Sequence, residues 1–399
     1  MPDERVRYAR YCRALAGEVL PAALVDLDAV DENISRLAAP VREAGKRMRI
    51  ATKSLRCPDL VDYIAKRTGA IGLMTYTAAE TAFWAERGHR DLLLAYPTLL
   101  PPELDAIVAA NRTATAAIVV DCREHLEAIA AAAATRGGAT VPVVIDVDMS
   151  YRPLARGPHL GVRRSPLRTA EAVVALAGQI RAPLRFHGLL GYEAQIAGLG
   201  DALPSSRFTN AVKRAIKSRS APHVLELRRA CVQALVEHGL APTIVNGGGT
   251  GSAAWSAGDA SLTEVTVGSG FVASGLFDDY RDLSVEPAAG FGLQVTRHPA
   301  PGIYTCAGGG YIASGAPAPD RLPKPWLPDG IELLGTEGAG EVQTPIRSRE
   351  PLSLGDPVLF RHAKAGELAE HFAEYLLVRG DQVVARARTY RGLGHCFLG

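Results

Sequence analysis

Eight short apolar runs, at residues 48–53, 70–75, 91–96, 115–120, 141–147, 184–191, 242–247 and 263–268, mark out the first part of this chain. Between them lie alanine-rich stretches such as 77–87, 103–111, 123–136 and 169–180, which have helical period and length. Strand followed by helix, eight times over, constrains the chain to an α/β fold, a parallel (β/α)8 barrel. Strands buried on both faces need near-continuous apolar runs, and Val141-Pro142-Val143-Val144-Ile145 is one.

The chain is longer than such a barrel needs. At 399 residues it has room for a second, smaller core. Beyond residue 285 the pattern changes to glycine, proline and short strand candidates at 291–296, 303–307, 357–361, 374–379 and 382–388. This predicts a C-terminal β-rich domain. The segment with Ala22, Leu24, Val25 and Leu27 reads as a strand that precedes the barrel and joins that other sheet, with Asp28 as a candidate cap for the helix after it. The expected division is 1–46 as an N-terminal segment, 47–284 as the barrel and 285–399 as the β-domain. The proline-rich stretch 314–329 reads as a loop or linker.

Charge excludes some classes of partner. With 44 basic and 42 acidic residues the formal net charge is +2, so nothing draws the chain to nucleic acid or to a membrane surface. No apolar stretch reaches membrane-spanning length, and Met1-Pro2-Asp3-Glu4-Arg5 lacks the apolar core of a signal peptide. Six cysteines without a C-x-x-C pair argue against a disulfide framework and a cysteine zinc cluster. The expectation is a cytoplasmic protein with reduced thiols and a small-molecule substrate.

Lys53 ends the first apolar run. A strand-end lysine held away from bulk water loses its proton near neutral pH, and only the free amine attacks an aldehyde. The competing reading is a solvated loop lysine. Two glycine-rich turns decide between them, Val245-Asn246-Gly247-Gly248-Gly249-Thr250-Gly251-Ser252 and Val267-Gly268-Ser269-Gly270, each after a strand candidate. Backbone amides in such turns, at a helix start, cradle phosphate. Lysine and cradle together are the arrangement of a barrel enzyme that holds pyridoxal 5'-phosphate as a Schiff base. Barrel sites gather at the C-terminal strand ends, where Tyr76, Tyr96, Asp148, Tyr192 and Gln195 also fall.

These residues resemble the fold-type III pyridoxal-phosphate enzymes, the alanine racemase-like superfamily that includes alanine racemase, D-threonine aldolase and D-serine dehydratase. The resemblance rests on Leu24-Val25-Asp26-Leu27-Asp28-Ala29, Ile50-Ala51-Thr52-Lys53-Ser54-Leu55-Arg56, Asp146-Val147-Asp148, Gly161-Val162-Arg163 and Gly188-Leu189-Leu190-Gly191-Tyr192-Glu193-Ala194, together with the Gly247 turn. Gly191-Tyr192-Glu193 is similar to the aldolase and dehydratase branch. Racemases carry Arg-Pro-Gly where this chain reads Val267-Gly268-Ser269.

The resemblance implies a lyase acting on a D-3-hydroxy amino acid, with aldolase and dehydratase both open, and a racemase or a non-catalytic carrier as alternatives. It implies Lys53 and Tyr192 as catalytic and cofactor-binding residues, and Asn246, Gly248, Gly249, Thr250, Gly268 and Ser269 around the cofactor. Arg163 and Gln195 would meet the substrate, and the assembly would be a homodimer. In one respect the chain departs from the branch, which binds a divalent ion through a C-terminal His-x-Cys or His-x-Asp. Here the pair falls on His362-Ala363-Lys364, and a lysine cannot coordinate while protonated. No metal ligand is therefore expected. Lys364 instead supplies positive charge beside the substrate, with Glu367 or His362 holding it. His395-Cys396 are adjacent and lack the ligand spacing.

Overall fold

The computed structural model describes residues 4–135, 139–154, 157–204, 206–364 and 366–398. Helix α1 (Glu4–Ala14) leads to β1 (Ala22–Asp26) and then α2 (Leu27–Glu43). The cap of α2 is Asp26, whose carboxylate accepts from the amides of Asp28 and Ala29 at 3.0 and 3.3 Å, so the expected cap at Asp28 is corrected by two residues. Asp28 sits inside the first turn and holds Arg379 at 2.8 Å. Leu27, Val30, Ile34, Leu37 and Val41 form the buried stripe of α2.

The barrel comprises β2 (Arg47–Ala51), β3 (Gly72–Thr75), β4 (Asp91–Leu94), β5 (Thr115–Val120), β6 (Val141–Asp146), β7 (Leu184–Leu190), β8 (Ile244–Gly247) and β9 (Glu264–Val267). Every neighbouring pair is parallel, and β9 closes on β2 with Met48 opposite Val265 and Ile50 opposite Val267. All eight expected strands are present. The alternation of a strand sends Met48 and Ile50 outward to the helices and leaves Arg49 and Ala51 inward. Met74, Leu93, Ala117, Val119, Val144, Leu190 and Ile244 fill the interior. Arg49, wholly buried, clasps Glu264 with two bonds of 2.7 and 3.0 Å, and Glu264 in turn accepts from Asn246 at 2.8 Å. A buried charge needs such a partner, so this pair fixes the lower interior and orients Asn246 above it.

The second sheet is β-rich: β10 (Ala289–Ala300), β11 (Ile303–Ala307), β12 (Lys324–Leu327), β13 (Ile331–Leu333), β14 (Gln343–Ser348), β15 (Pro357–Arg361), β16 (Glu374–Arg379) and β17 (Gln382–Arg388). Its order is β13-β14-β11-β10-β1-β16-β17, with β15 between β10 and β12. Strand β1 lies antiparallel to β10 and parallel to β16, so the N-terminal strand is built into this sheet. Strand β12 lies within the stretch read as a linker, which is corrected: Lys324 to Leu327 pair with β15 despite the prolines, on the side of the sheet where only one neighbour needs donors. Among the described residues no helix is long and apolar enough to cross a membrane.

Candidate active site

At the C-terminal ends of the barrel strands a cavity of about 740 Å³ opens. Volumes of this order suit a small ligand or cofactor. Lys53 projects into it from a single 3-10 turn, Thr52–Ser54, directly after β2. The first polar side chains beyond a buried strand emerge at its end, which places the lysine there. Its side chain carries accessible surface and lines the cavity. Burial, reinforced by the charges of Arg164, Lys364 and Arg56, pushes Lys53 down to about 8. Its Nζ lies 4.2 Å from the centre of the Tyr76 ring.

Opposite stand the two glycine turns, each ending in a short 3-10 helix, Thr250–Ser252 after β8 and Ser269–Phe271 after β9. The Thr250 hydroxyl joins them: it accepts from the Gly270 amide at 2.9 Å and lies 3.3 Å from the Ser269 hydroxyl. Gly249 packs on Tyr192, where a Cβ would lie 3.2 Å from Cε2 of the ring. The glycines serve packing as well as ligand approach. A Cβ on Gly248, at φ +88°, would lie 2.6 Å from Val265 Cγ1, and one on Gly268 2.6 Å from Ser54 Oγ. Close approach to phosphate is thus not the sole reason for glycine at either place.

Beneath the first turn lies a buried polar network that the sequence did not disclose. Glu193 accepts from the Gly248 amide at 3.2 Å, from Ser252 at 2.9 Å and from Ser256 at 2.5 Å. Arg228, on the long helix Arg207–Glu237, pairs with it at 3.0 Å, donates to the Gly191 carbonyl at 2.9 Å and also binds Asp259. Both members of the Glu193–Arg228 pair are fully buried.

Lys53, Tyr192, Asn246, Gly248, Gly249, Thr250, Gly268, Ser269, Arg163 and Lys364 all line the one cavity, as do Tyr76, Tyr96 and Tyr280. Arg163 has no hydrogen bond or ion pair among the described residues and is exposed. Its neighbour Arg164, not singled out from the sequence, lines the cavity too, held by Asp146 at 3.3 Å and the Ala95 carbonyl at 3.0 Å. Burial pushes Asp146 up to about 7 despite that partner. Arg56 also reaches the cavity, tied to Glu370 at 2.6 Å. Its place three residues after Lys53 was the available signal.

Three expected residues lie away from the lining. Gln195 is buried and donates to the Met149 carbonyl at 2.6 Å, its Oε1 without a partner among the described residues. His362 is buried, its Nδ1 without a partner among the described residues, and burial with Arg361 beside it pushes it down to about 3, so the ring is neutral. Asp148 binds Arg152 at 2.9 Å, and neither lines the cavity.

A lysine of lowered basicity and a two-turn cradle in one cavity fit an aldehyde-bearing phosphate cofactor, and pyridoxal phosphate is typical of the family to which comparison leads. A 3-hydroxy-D-aspartate aldolase of Paracoccus denitrificans (strain Pd 1222) is 26% identical over 252 residues, 62% of this chain and 59% of the relative. A D-threonine aldolase of Arthrobacter sp is 25% identical over 254 residues, 62% of this chain and 60% of the relative. The match thus spans about three fifths of these curated relatives. Among solved structures, D-threonine aldolase from Filomicrobium marinum superposes with a TM-score of 0.80 at 21% identity, covering 95% of this chain and 96% of that one. D-threo-3-hydroxyaspartate dehydratase from Delftia sp. HT23 gives 0.74 at 21% identity, covering 94% and 98%. The alanine racemase N-terminal domain model matches residues 25–273, more than half of the chain, and the chain belongs to that family.

Proposed function

We propose that this protein is a pyridoxal 5'-phosphate-dependent lyase acting on a D-3-hydroxy-α-amino acid. The observation that carries the reading is the meeting of Lys53, its amine pushed down to about 8, with the Thr250 and Ser269 turns in one cavity. The names of the relatives, aldolases and a dehydratase of D-hydroxy amino acids, support the reaction class and the configuration. Bound there, the cofactor would supply an electron sink for the pair released when a bond to the substrate Cα breaks.

In this reading the chain's own residues hold and orient. Lys53 carries the cofactor's attachment and, as a neutral amine, accepts a proton at Nζ. The turns at Gly248, Gly249, Thr250, Gly268 and Ser269 would hold the phosphate by backbone and hydroxyl groups. Tyr192, which lines the cavity, would flank the cofactor, and Asn246 lines the same cavity, fixed by Glu264 and by Thr266 at 2.8 Å each. Arg163, without a partner among the described residues, offers a two-donor fork to the substrate carboxylate. Gln195 acts only from behind, by fixing the Met149 carbonyl. The barrel, 47–284, thus binds cofactor and substrate, and 285–399 closes the cavity from the side of Lys364.

We also infer a cytoplasmic homodimer. Six free thiols favour a reducing compartment, and exposed Tyr96, which lines the cavity, with exposed Leu99 and Leu100 just after it in the chain suit a second copy. The test of the activity is a panel of D- and L-3-hydroxy amino acids, read by aldehyde, keto-acid and ammonia release. Product from D substrates is expected. Deuterium uptake at Cα without loss of substrate would mark a racemase and overturn the reading.

A further inference from the structure

The divalent ion implied by resemblance does not fit the residues present. The second ligand position is Lys364, and an ammonium has no lone pair to give. The first is His362, whose ring does not line the cavity. Among the described residues the one group of three His, Cys, Asp or Glu donors close enough to share an ion is Asp121, Cys122 and His125, after β5, and none of these three lines the cavity. One imidazole beside an ammonium is no divalent-ion site.

The ammonium is itself held in place. Lys364 Nζ donates to Ser314 Oγ at 3.0 Å and lies 3.8 Å from Glu367 Oε1. The Ser314 hydroxyl donates onward to Glu367 Oε1, and the Ser314 amide donates to Glu367 Oε2 at 3.0 Å. Ser314, Lys364 and Glu367 all line the cavity. Beside Lys364 and Glu367 the chain comes close to the cofactor lysine: Gly366, at φ +88°, approaches so closely that a Cβ would lie 1.9 Å from the Lys53 carbonyl oxygen. Ser314 and Glu367 leave ammonium protons free, because Lys364 has three donors and makes one hydrogen bond.

We propose that the Lys364 ammonium, held by Ser314 and Glu367, takes the place of a divalent ion and donates a hydrogen bond to the substrate's β-oxygen as negative charge develops on it. Lys364 forms and breaks no covalent bond in this role. The same charge serves an oxygen that becomes a carbonyl and one that leaves as hydroxide, so the inference rests on the lyase reading but not on which lyase it is. Removing one fixed donor of this kind typically lowers turnover roughly 10²–10³-fold.

The test uses the purified holoprotein with Lys364→Met and Lys364→Arg. Elemental analysis should find no stoichiometric metal, and extended dialysis against a chelator should leave turnover of D-3-hydroxy amino acids unchanged. Lys364→Met should lose roughly 10²–10³ in kcat with KM little changed, and Lys364→Arg should recover part of the loss. Removing this charge should also move the pH midpoint of the cofactor's absorbance change upward, a readout independent of turnover. Loss of activity on chelation with recovery in zinc or manganese overturns the inference while sparing the lyase reading. A rise in KM with unchanged kcat moves Lys364 to a substrate carboxylate and also overturns it. No product from any hydroxy amino acid removes both.

Discussion

Glu193 and Arg228 pair at 3.0 Å in the protein interior, and the first glycine turn of the cavity hangs from the carboxylate of that pair through the Gly248 amide. Arg228→Met would leave Glu193 and Asp259 as buried carboxylates without their cation. A loss of about 3–5 kcal/mol is expected by equilibrium denaturation. Glu193→Gln keeps the shape but weakens three contacts to the turn and the helix after it, and the pair with Arg228, and cofactor affinity should fall roughly tenfold, as for loss of about one good hydrogen bond. Unchanged affinity would show that the turn holds its form without the pair.

Cofactor capture should follow the protonation of Lys53. Burial, with Arg164, Lys364 and Arg56, favours the neutral amine and brings Lys53 to about 8. The rate at which apoprotein takes up pyridoxal phosphate should therefore rise about tenfold per pH unit below that value and level off above it, whereas a solvated lysine would keep rising to ~10.4. The same shift bears on stability. The unfolded chain binds the proton more tightly than the folded one, so the Lys53 contribution destabilises the apoprotein below about pH 8 and fades as pH rises toward the unfolded value. Lys53→Met should flatten that rise in a pH series of melting curves.

Gly248→Ala and Gly268→Ala should each destabilise by about 1–3 kcal/mol, because a Cβ meets Val265 in the first case and Ser54 and Ala51 in the second. Gly248 adds the strain of a left-handed backbone at φ +88°. Thermal melts of the apoproteins check this directly. Equal stability with lost cofactor binding would return both glycines to a purely ligand-facing role.

Tyr390 ties the C-terminal segment to the barrel. Its hydroxyl donates to Glu80 at 2.8 Å and accepts from the Trp84 ring nitrogen at 2.8 Å, and its amide donates to the Arg56 carbonyl at 2.8 Å. Tyr390→Phe strips a partner from two buried groups, for an expected cost of about 1–3 kcal/mol by denaturant titration. A neutral effect would mean that water reaches Glu80 and Trp84 once the hydroxyl is gone.

The barrel was legible because its strands are buried on both faces and so read as unbroken apolar runs, and Lys53 because it is the first long polar side chain past one of them. Strand β12 was not, since prolines at 323, 325 and 328 give a loop signal that pairing along one edge overrides. Strand β13 is only three residues long and leaves no period to detect. The cap of α2 was misplaced because Asp26 and Asp28 are equally good candidates until the backbone turns. The Glu193 network draws on positions 191 to 259 of three separate elements, and a buried charge reveals its partner only once the chain is folded.

Borohydride reduction of the holoprotein, followed by peptide mapping, tests the account at its centre. It predicts one pyridoxyl group per chain, on Lys53, with no label in Lys53→Ala. A group fixed to any other lysine, or none at all in protein saturated with pyridoxal phosphate, would contradict it.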